Sequence, residues 1–158
     1  MTPAGAGADN AGVRVPPPLI YLATFGIGWL IQRGAPRPII AAGEARWAGS
    51  VLVVAWAAIT AWTVTCFRRH RTSLVPVKPA SALIVRGPFG VTRNPLYLGM
   101  VLLYAGMAFW LDALWPLVLL LPLVFVIQAY AIAREERYLA RRFGDAYLDY
   151  CRRVRRWI

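Results

Sequence analysis

The sequence predicts an all-α integral-membrane bundle: four transmembrane helices closed by a cytoplasmic helical cap at the C-terminus. Three observations predict it. The 158 residues are 59% apolar and 16% charged, a composition too apolar for an ordinary soluble domain. Charge-free runs fall at 15–32, 47–67, 94–111 and 113–133, or 18, 21, 18 and 21 residues; about 20 helical residues cross a bilayer core. The net charge of +11 is strongly segregated. Arg68, Arg69, Arg71, Lys78, Arg86 and Arg93 lie between spans two and three with no acid among them, and eight arginines follow from Arg134 on. The positive-inside rule puts that loop and the C-terminus in the cytoplasm, and four spans put the N-terminus there too.

Taken in order, residues 1–14 are Ala/Gly-rich and read as disordered. The first span has one basic residue before it, Arg14, beside Pro16-Pro17-Pro18, and no convincing cleavage site after it. It reads as an uncleaved anchor. A Pro/Gly-containing loop from Gly34 to Glu44 leads into span two. The connector 68–95 contains Pro76, Pro79 and Pro88, so it is not one helix. Its apolar stretch from Ala82 to Val85 lies in the headgroup layer or tucks against the bundle. Leu111-Asp112-Ala113 is so short a turn that spans three and four form an antiparallel hairpin. Pro116 and Pro122 in span four predict a kink near 118–122. The chain reads as one domain.

Composition narrows the function. The basic balance reads as topology and contact with anionic headgroups, and no fold motif for nucleic acid accompanies it. A single histidine, His70, and two dispersed cysteines, Cys66 and Cys151, give no metal-ligand spacing.

The residues able to carry chemistry gather at the cytoplasmic ends of spans three and four. Asn94-Pro95 opens span three. Asn is a good N-cap and proline suits the first helical position, so this is at least a capped start. With Arg93 beside it, the same start is also a candidate anion site. Tyr97 stands one turn from Arg93. Glu135-Glu136 ends span four, and neither has a cation three or four residues away on its own helix. On an ideal helix Glu136 shares a stripe with Leu139, Ala140, Phe143, Tyr147 and Tyr150, and Glu135 is turned about 100° aside. Glu136 therefore projects inward and needs a cation, either Arg93 or a bound positive ligand. Tyr97, Tyr147 and Tyr150 serve either that pocket or an interfacial aromatic belt.

The order Gly87-Pro88-Phe89, Arg93-Asn94-Pro95-x-Tyr97-x-Gly99, Glu135-Glu136-x-x-Leu139, Phe143-Gly144-x-x-Tyr147-x-x-Tyr150 and Val154-x-Arg156 resembles the isoprenylcysteine carboxyl methyltransferase and phospholipid methyltransferase superfamily. The resemblance covers about residues 74–157. It implies an integral-membrane enzyme that uses S-adenosylmethionine, releases S-adenosylhomocysteine and needs no metal. It implies a cofactor pocket at the cytoplasmic face, with Asn94, Pro95, Tyr97, Gly99, Glu135, Glu136, Phe143 and Tyr147 around the cofactor and Arg93 and Glu136 as catalytic residues. The acceptor is lipophilic or amphipathic and enters sideways from the bilayer. Carboxyl methylation of isoprenylcysteine type is preferred; phospholipid N-methylation, or a non-enzymatic scaffold of the same fold, is the alternative. The setting is a multi-pass protein of a bacterial inner membrane. Two positions depart from relatives: many have His where this chain has Asn94, and the eukaryotic carboxyl methyltransferases have an Arg where it has Ala131.

Overall fold

The computed structural model describes residues 12–40, 42–69 and 83–158. It is all-helical, with no strand among the described residues. The helices are α1 (Pro17–Gly34), α2 (Ala42–Arg69), α3 (Pro95–Trp110), α4 (Leu114–Ile127), α5 (Ala133–Phe143) and α6 (Asp145–Arg153). A 3-10 turn spans Gly87–Gly90, and a π-turn, Gln128–Ile132, joins α4 to α5 without a break.

Two helical stretches are long and apolar enough to cross a bilayer: Gly43–Arg69, with 27 residues, and Leu114–Phe143, with 30. The other two expected spans are helical but fall short of that standard, α1 with 18 residues and α3 with 16. Helix α2 outruns its charge-free stretch at both ends. Glu44 sits in its first turn and Arg68 and Arg69 in its last, where each charge suits the helix dipole and reaches water.

The helices pack through small residues, which let backbones approach where no water drives them together. A Cβ on Gly28 of α1 would sit 2.7 Å from the Cα of Pro116 in α4. One on Gly49 of α2 would sit 2.7 Å from the carbonyl oxygen of Gly106 in α3. Helices α3 and α4 form the expected hairpin, turned at Asp112 with φ of 46°. The Asp112 carboxylate accepts from the Ile39 amide at 2.7 Å, and Arg37 O accepts from the Leu114 amide at 3.1 Å. The loop after α1 and the α3–α4 turn therefore share one end of the molecule. Between the ends the outer surface is apolar: Leu121 is 68% exposed and Phe125 72%. So large a greasy exterior suits lipid contact.

Pro122 lies inside α4, and a π-turn follows it at Gln128–Ile132. A proline in a membrane helix is tolerated where neighbours satisfy the freed backbone. Residues 12–14 are held rather than loose: Gly12 O accepts from Arg134 Nη1 at 3.0 Å, beside the Val15 amide on the Tyr130 hydroxyl at 2.8 Å. The rest of the expected disordered segment, 1–11, lies outside the described residues, as do 70–82 of the basic connector. Ile84, just after it, is buried, so that stretch tucks against the bundle.

Candidate active site

The approach to α3 is tied to the C-terminal segment. Val154 leaves α6 in extended conformation, and residues 154–158 run back as a strap across Thr92, Arg93 and Asn94. The Arg93 amide donates to Arg155 O at 3.0 Å. Arg156 O accepts from Thr92 Oγ1 at 3.0 Å and from Asn94 Nδ2 at 3.1 Å. Trp157 Nε1 donates to Gln128 Oε1 in the π-turn at 2.9 Å. Asn94 occupies the N-cap position, but its side chain makes no cap bond; its Nδ2 donates to the strap instead. The first amides of α3, on Leu96 and Tyr97, are therefore left without a side-chain cap, and the dipole's positive end stays available to an anion.

Arg93 and Arg156 converge on Glu136. Arg93 Nη1 lies 3.2 Å from Glu136 Oε1, with both side chains only 15% exposed. Arg156 grips the same carboxylate with two nitrogens, Nε on Oε1 at 3.1 Å and Nη2 on Oε2. This fork geometry is available to arginine and not to lysine. The hydrogen bond to Glu136 raises the pKa of Arg156, so that guanidinium stays charged. Arg93 also donates to Cys151 Sγ at 2.7 Å, while its Nε is buried with no partner among the described residues. Two cations face one carboxylate, so the cluster carries a surplus positive charge.

Glu135 faces a different neighbour. Its Oε1 accepts from the Tyr97 hydroxyl at 2.7 Å, and among the described residues no cation pairs with it. Helical geometry separates the two glutamates by about 100°. That angle holds, but the expectation that only Glu136 points inward does not. Helix α5 is covered on two sides, by α3 at Tyr97 and by the strap at Arg156. Each carboxylate is received by one of them.

The remaining predicted residues are more spread. Tyr147 is buried, and its ring lies 6.0 Å from that of Tyr150. Tyr147 is close enough to Glu136, Cys151 and Arg93 to feel their charges. The Tyr150 hydroxyl donates to Phe89 O at 2.8 Å, and Phe89 packs edge-on against Phe67 of α2 at 5.5 Å. Burial raises the pKa of both phenols, Tyr147 and Tyr150, so they remain protonated donors. Phe143 is the last residue of α5 and half-buried; Gly144 follows at φ of +54° and breaks the helix. Gly99 faces α2, where a Cβ would meet Thr60 Oγ1 at 3.0 Å, so it serves helix packing. The structure thus gathers Arg93, Asn94, Pro95, Tyr97, Glu135, Glu136 and Tyr147, and leaves Gly99 and Phe143 at the margin. Sequence reasoning missed Thr92, Gln128, Arg156 and Trp157. Thr92 and Arg156 had a signal, as the residue before Arg93-Asn94-Pro95 and in the Val154-x-Arg156 pattern.

Comparisons with known proteins give these residues a context. The sequence profile of the phospholipid methyltransferase family matches residues 45–146. A protein of Haemophilus influenzae, described as uncharacterized, is 36% identical over 63 residues, which is 40% of this chain and 100% of that protein. No solved structure matches.

Proposed function

The chain belongs to the phospholipid methyltransferase family, and we propose that it transfers a methyl group from S-adenosylmethionine to a lipid acceptor at the cytoplasmic face of the membrane. The observation that carries the reading is the paired, oppositely charged site on adjacent residues. Arg93 and Arg156 outnumber Glu136, and among the described residues no cation pairs with Glu135. An amino-acid zwitterion fits that pattern, and the cofactor ends in one. Its carboxylate would lie at the guanidinium surplus and the uncapped amides of α3, where Arg93 Nε is buried without a partner among the described residues. Its ammonium would lie at Glu135, oriented by Tyr97. Tyr147 and Phe143 offer aromatic surface for the adenosine part.

When bound, the cofactor supplies an electrophilic methyl on sulfur, and loss of that methyl leaves the neutral thioether. The chain's own task is alignment and exclusion of water. The strap does both: it covers the start of α3 and holds Arg93 through its backbone. Tyr150, kept protonated, pins α6 to Phe89 so that the strap starts from a fixed point.

An amine of phospholipid type is the first reading of the acceptor, in keeping with the family's description. Carboxyl methylation of an isoprenylcysteine is the second. In either case the acceptor reaches the site from the bilayer, because its tail gains nothing by leaving. The arrangement belongs to a four-span protein with both termini cytoplasmic, in a bacterial inner membrane. The test is calorimetry with S-adenosylmethionine in a lipid-like detergent, followed by transfer of a labelled methyl to amine phospholipids and to prenylcysteine acids. Heat of binding and label in the amine lipid are expected. Absence of both heat and label would end the proposal.

A further inference from the structure

Two polar atoms deep in the bundle have no role in the site described so far. The hydroxyls of Tyr21 in α1 and Tyr104 in α3 are buried and unpartnered among the described residues, with Tyr21 6% exposed and Tyr104 4%. Their rings meet edge-on at 6.1 Å, and Phe25 packs on Tyr104 at 5.0 Å. Phenylalanine would fill both positions as well and strand no hydroxyl. An unpaired hydroxyl in an apolar interior is costly, and two together call for a partner that comes and goes.

Their placement says what that partner is. Tyr97 belongs to the same buried cluster. It precedes Tyr104 by seven residues, two turns on one face of α3, or about 10 Å along the axis. Tyr97 donates to Glu135. A line of phenols therefore leads from the Glu135 carboxylate into the bundle along the seam between α1 and α3. Helix α1 is anchored on α4, Gly28 against the Pro116 backbone, and meets α3 mainly through these aromatic rings. The seam can open without freeing α1 from α4.

We propose that Tyr21 and Tyr104 form a hydrogen-bond donor site for the linkage oxygens of the lipid acceptor, the ester carbonyls of a diacyl lipid. This rests on the methyltransferase reading above and adds a specificity device to it. In a diacyl lipid the carbonyls lie between the reacting headgroup and the chains. They therefore fall deeper than Glu135, on the side where the phenols stand. Both hydroxyls donate and a carbonyl oxygen accepts. A prenyl chain is hydrocarbon beyond its thioether and leaves both donors unpaired. Binding parts the rings along the seam, and hydrogen bonds from the two phenols to the acceptor's carbonyls offset that separation.

The test uses the full chain in detergent, with Tyr21→Phe, Tyr104→Phe and the double variant. Each is titrated with a diester phospholipid and with its diether analogue of the same headgroup and chain length, and bound lipid is read by native mass spectrometry. Calorimetry with S-adenosylmethionine runs in parallel. The unmodified protein is expected to hold the diester about tenfold more tightly. Each Phe variant should lose about three- to tenfold for the diester and nothing for the diether. The double variant should show no preference, with cofactor heat unchanged throughout. An equal affinity for the two lipids in the unmodified protein overturns the proposal. So does a preference that survives the double variant, which is the result expected if the hydroxyls bind only water. If the ester preference appears and the Phe variants remove it while the cofactor gives no heat, the lipid site stands and the methyltransferase reading falls.

Discussion

Glu135 and Glu136 are neighbours in the chain with different duties, and their amides should separate those duties. Glu136 balances Arg93 and Arg156. Glu136→Gln leaves two guanidinium groups facing each other in a half-buried site, where removing one partner of an ion pair costs about 3 kcal/mol or more. It should lower the melting temperature and loosen the strap, and cofactor binding should fall with it. Glu135→Gln keeps an oxygen for the Tyr97 hydroxyl, so the fold should hold to within about 1 kcal/mol. It removes the charge meant for an ammonium, which costs about 1.5–3 kcal/mol, or roughly ten- to a hundredfold in cofactor affinity. Thermal unfolding and calorimetry on the two variants check this. Equal loss of stability in both would mean that Glu135 is structural. The glutamates, Arg93 and Tyr97 were legible in the sequence because a charge at a membrane boundary calls for an explanation. Glu135's orientation was not, because a helical wheel gives angles and not neighbours. Its partner, Tyr97, lies 38 residues away in the chain.

Among the elements, α1 comes closest to the backbone of α4 at Gly28. Gly28 lies where a Cβ would stand 2.7 Å from backbone of Pro116, and Gly26, two residues earlier, has nothing within 4 Å. The two alanine variants form a matched pair. Gly28→Ala must push α1 away from α4, at about 1–3 kcal/mol, and so lower the melting temperature. Gly26→Ala should be neutral or stabilise by up to about 0.5–1 kcal/mol through helix propensity. If both behave alike, the close α1–α4 approach is not what holds α1. The spacing of charges made these helices legible, and the three-residue turn made the α3–α4 hairpin legible. The π-turn and the strap were not. A π-turn has no composition of its own. The strap is five residues fixed by bonds to Thr92, Arg93, Asn94, Gln128 and Glu136, none of them local in sequence.

For the whole molecule, the proposed topology decides whether the site faces a compartment that holds the cofactor. The loop after α1 and the Asp112 turn lie together at one end. The Arg93–Arg156–Glu136 cluster, α6 and the strap lie together at the other. In the proposed four-span topology each of these ends lies on one side of the membrane. The site end also carries the larger excess of arginine, eight from Arg134 onward against Glu135, Glu136, Asp145 and Asp149. The opposite end has Arg33, Arg37 and Arg46 against Glu44 and Asp112. The positive-inside rule counts Lys and Arg near the spans and gives little weight to acids, and on that ground the proposed topology puts the site end in the cytoplasm. Single cysteines at Arg37 and Arg152, both exposed, test this in a chain whose Cys66 and Cys151 are replaced by alanine and serine. A membrane-impermeant thiol reagent added to intact cells should label Arg37→Cys and spare Arg152→Cys until the membrane is opened. The reverse pattern would place the cluster outside, away from any cytoplasmic pool of S-adenosylmethionine. Labelling of both from outside would mean that α3, which falls short of the length needed to cross, does not span; α1 precedes both positions and cannot change their relative sides. The lipid-facing seam between α1 and α3 would then need another account.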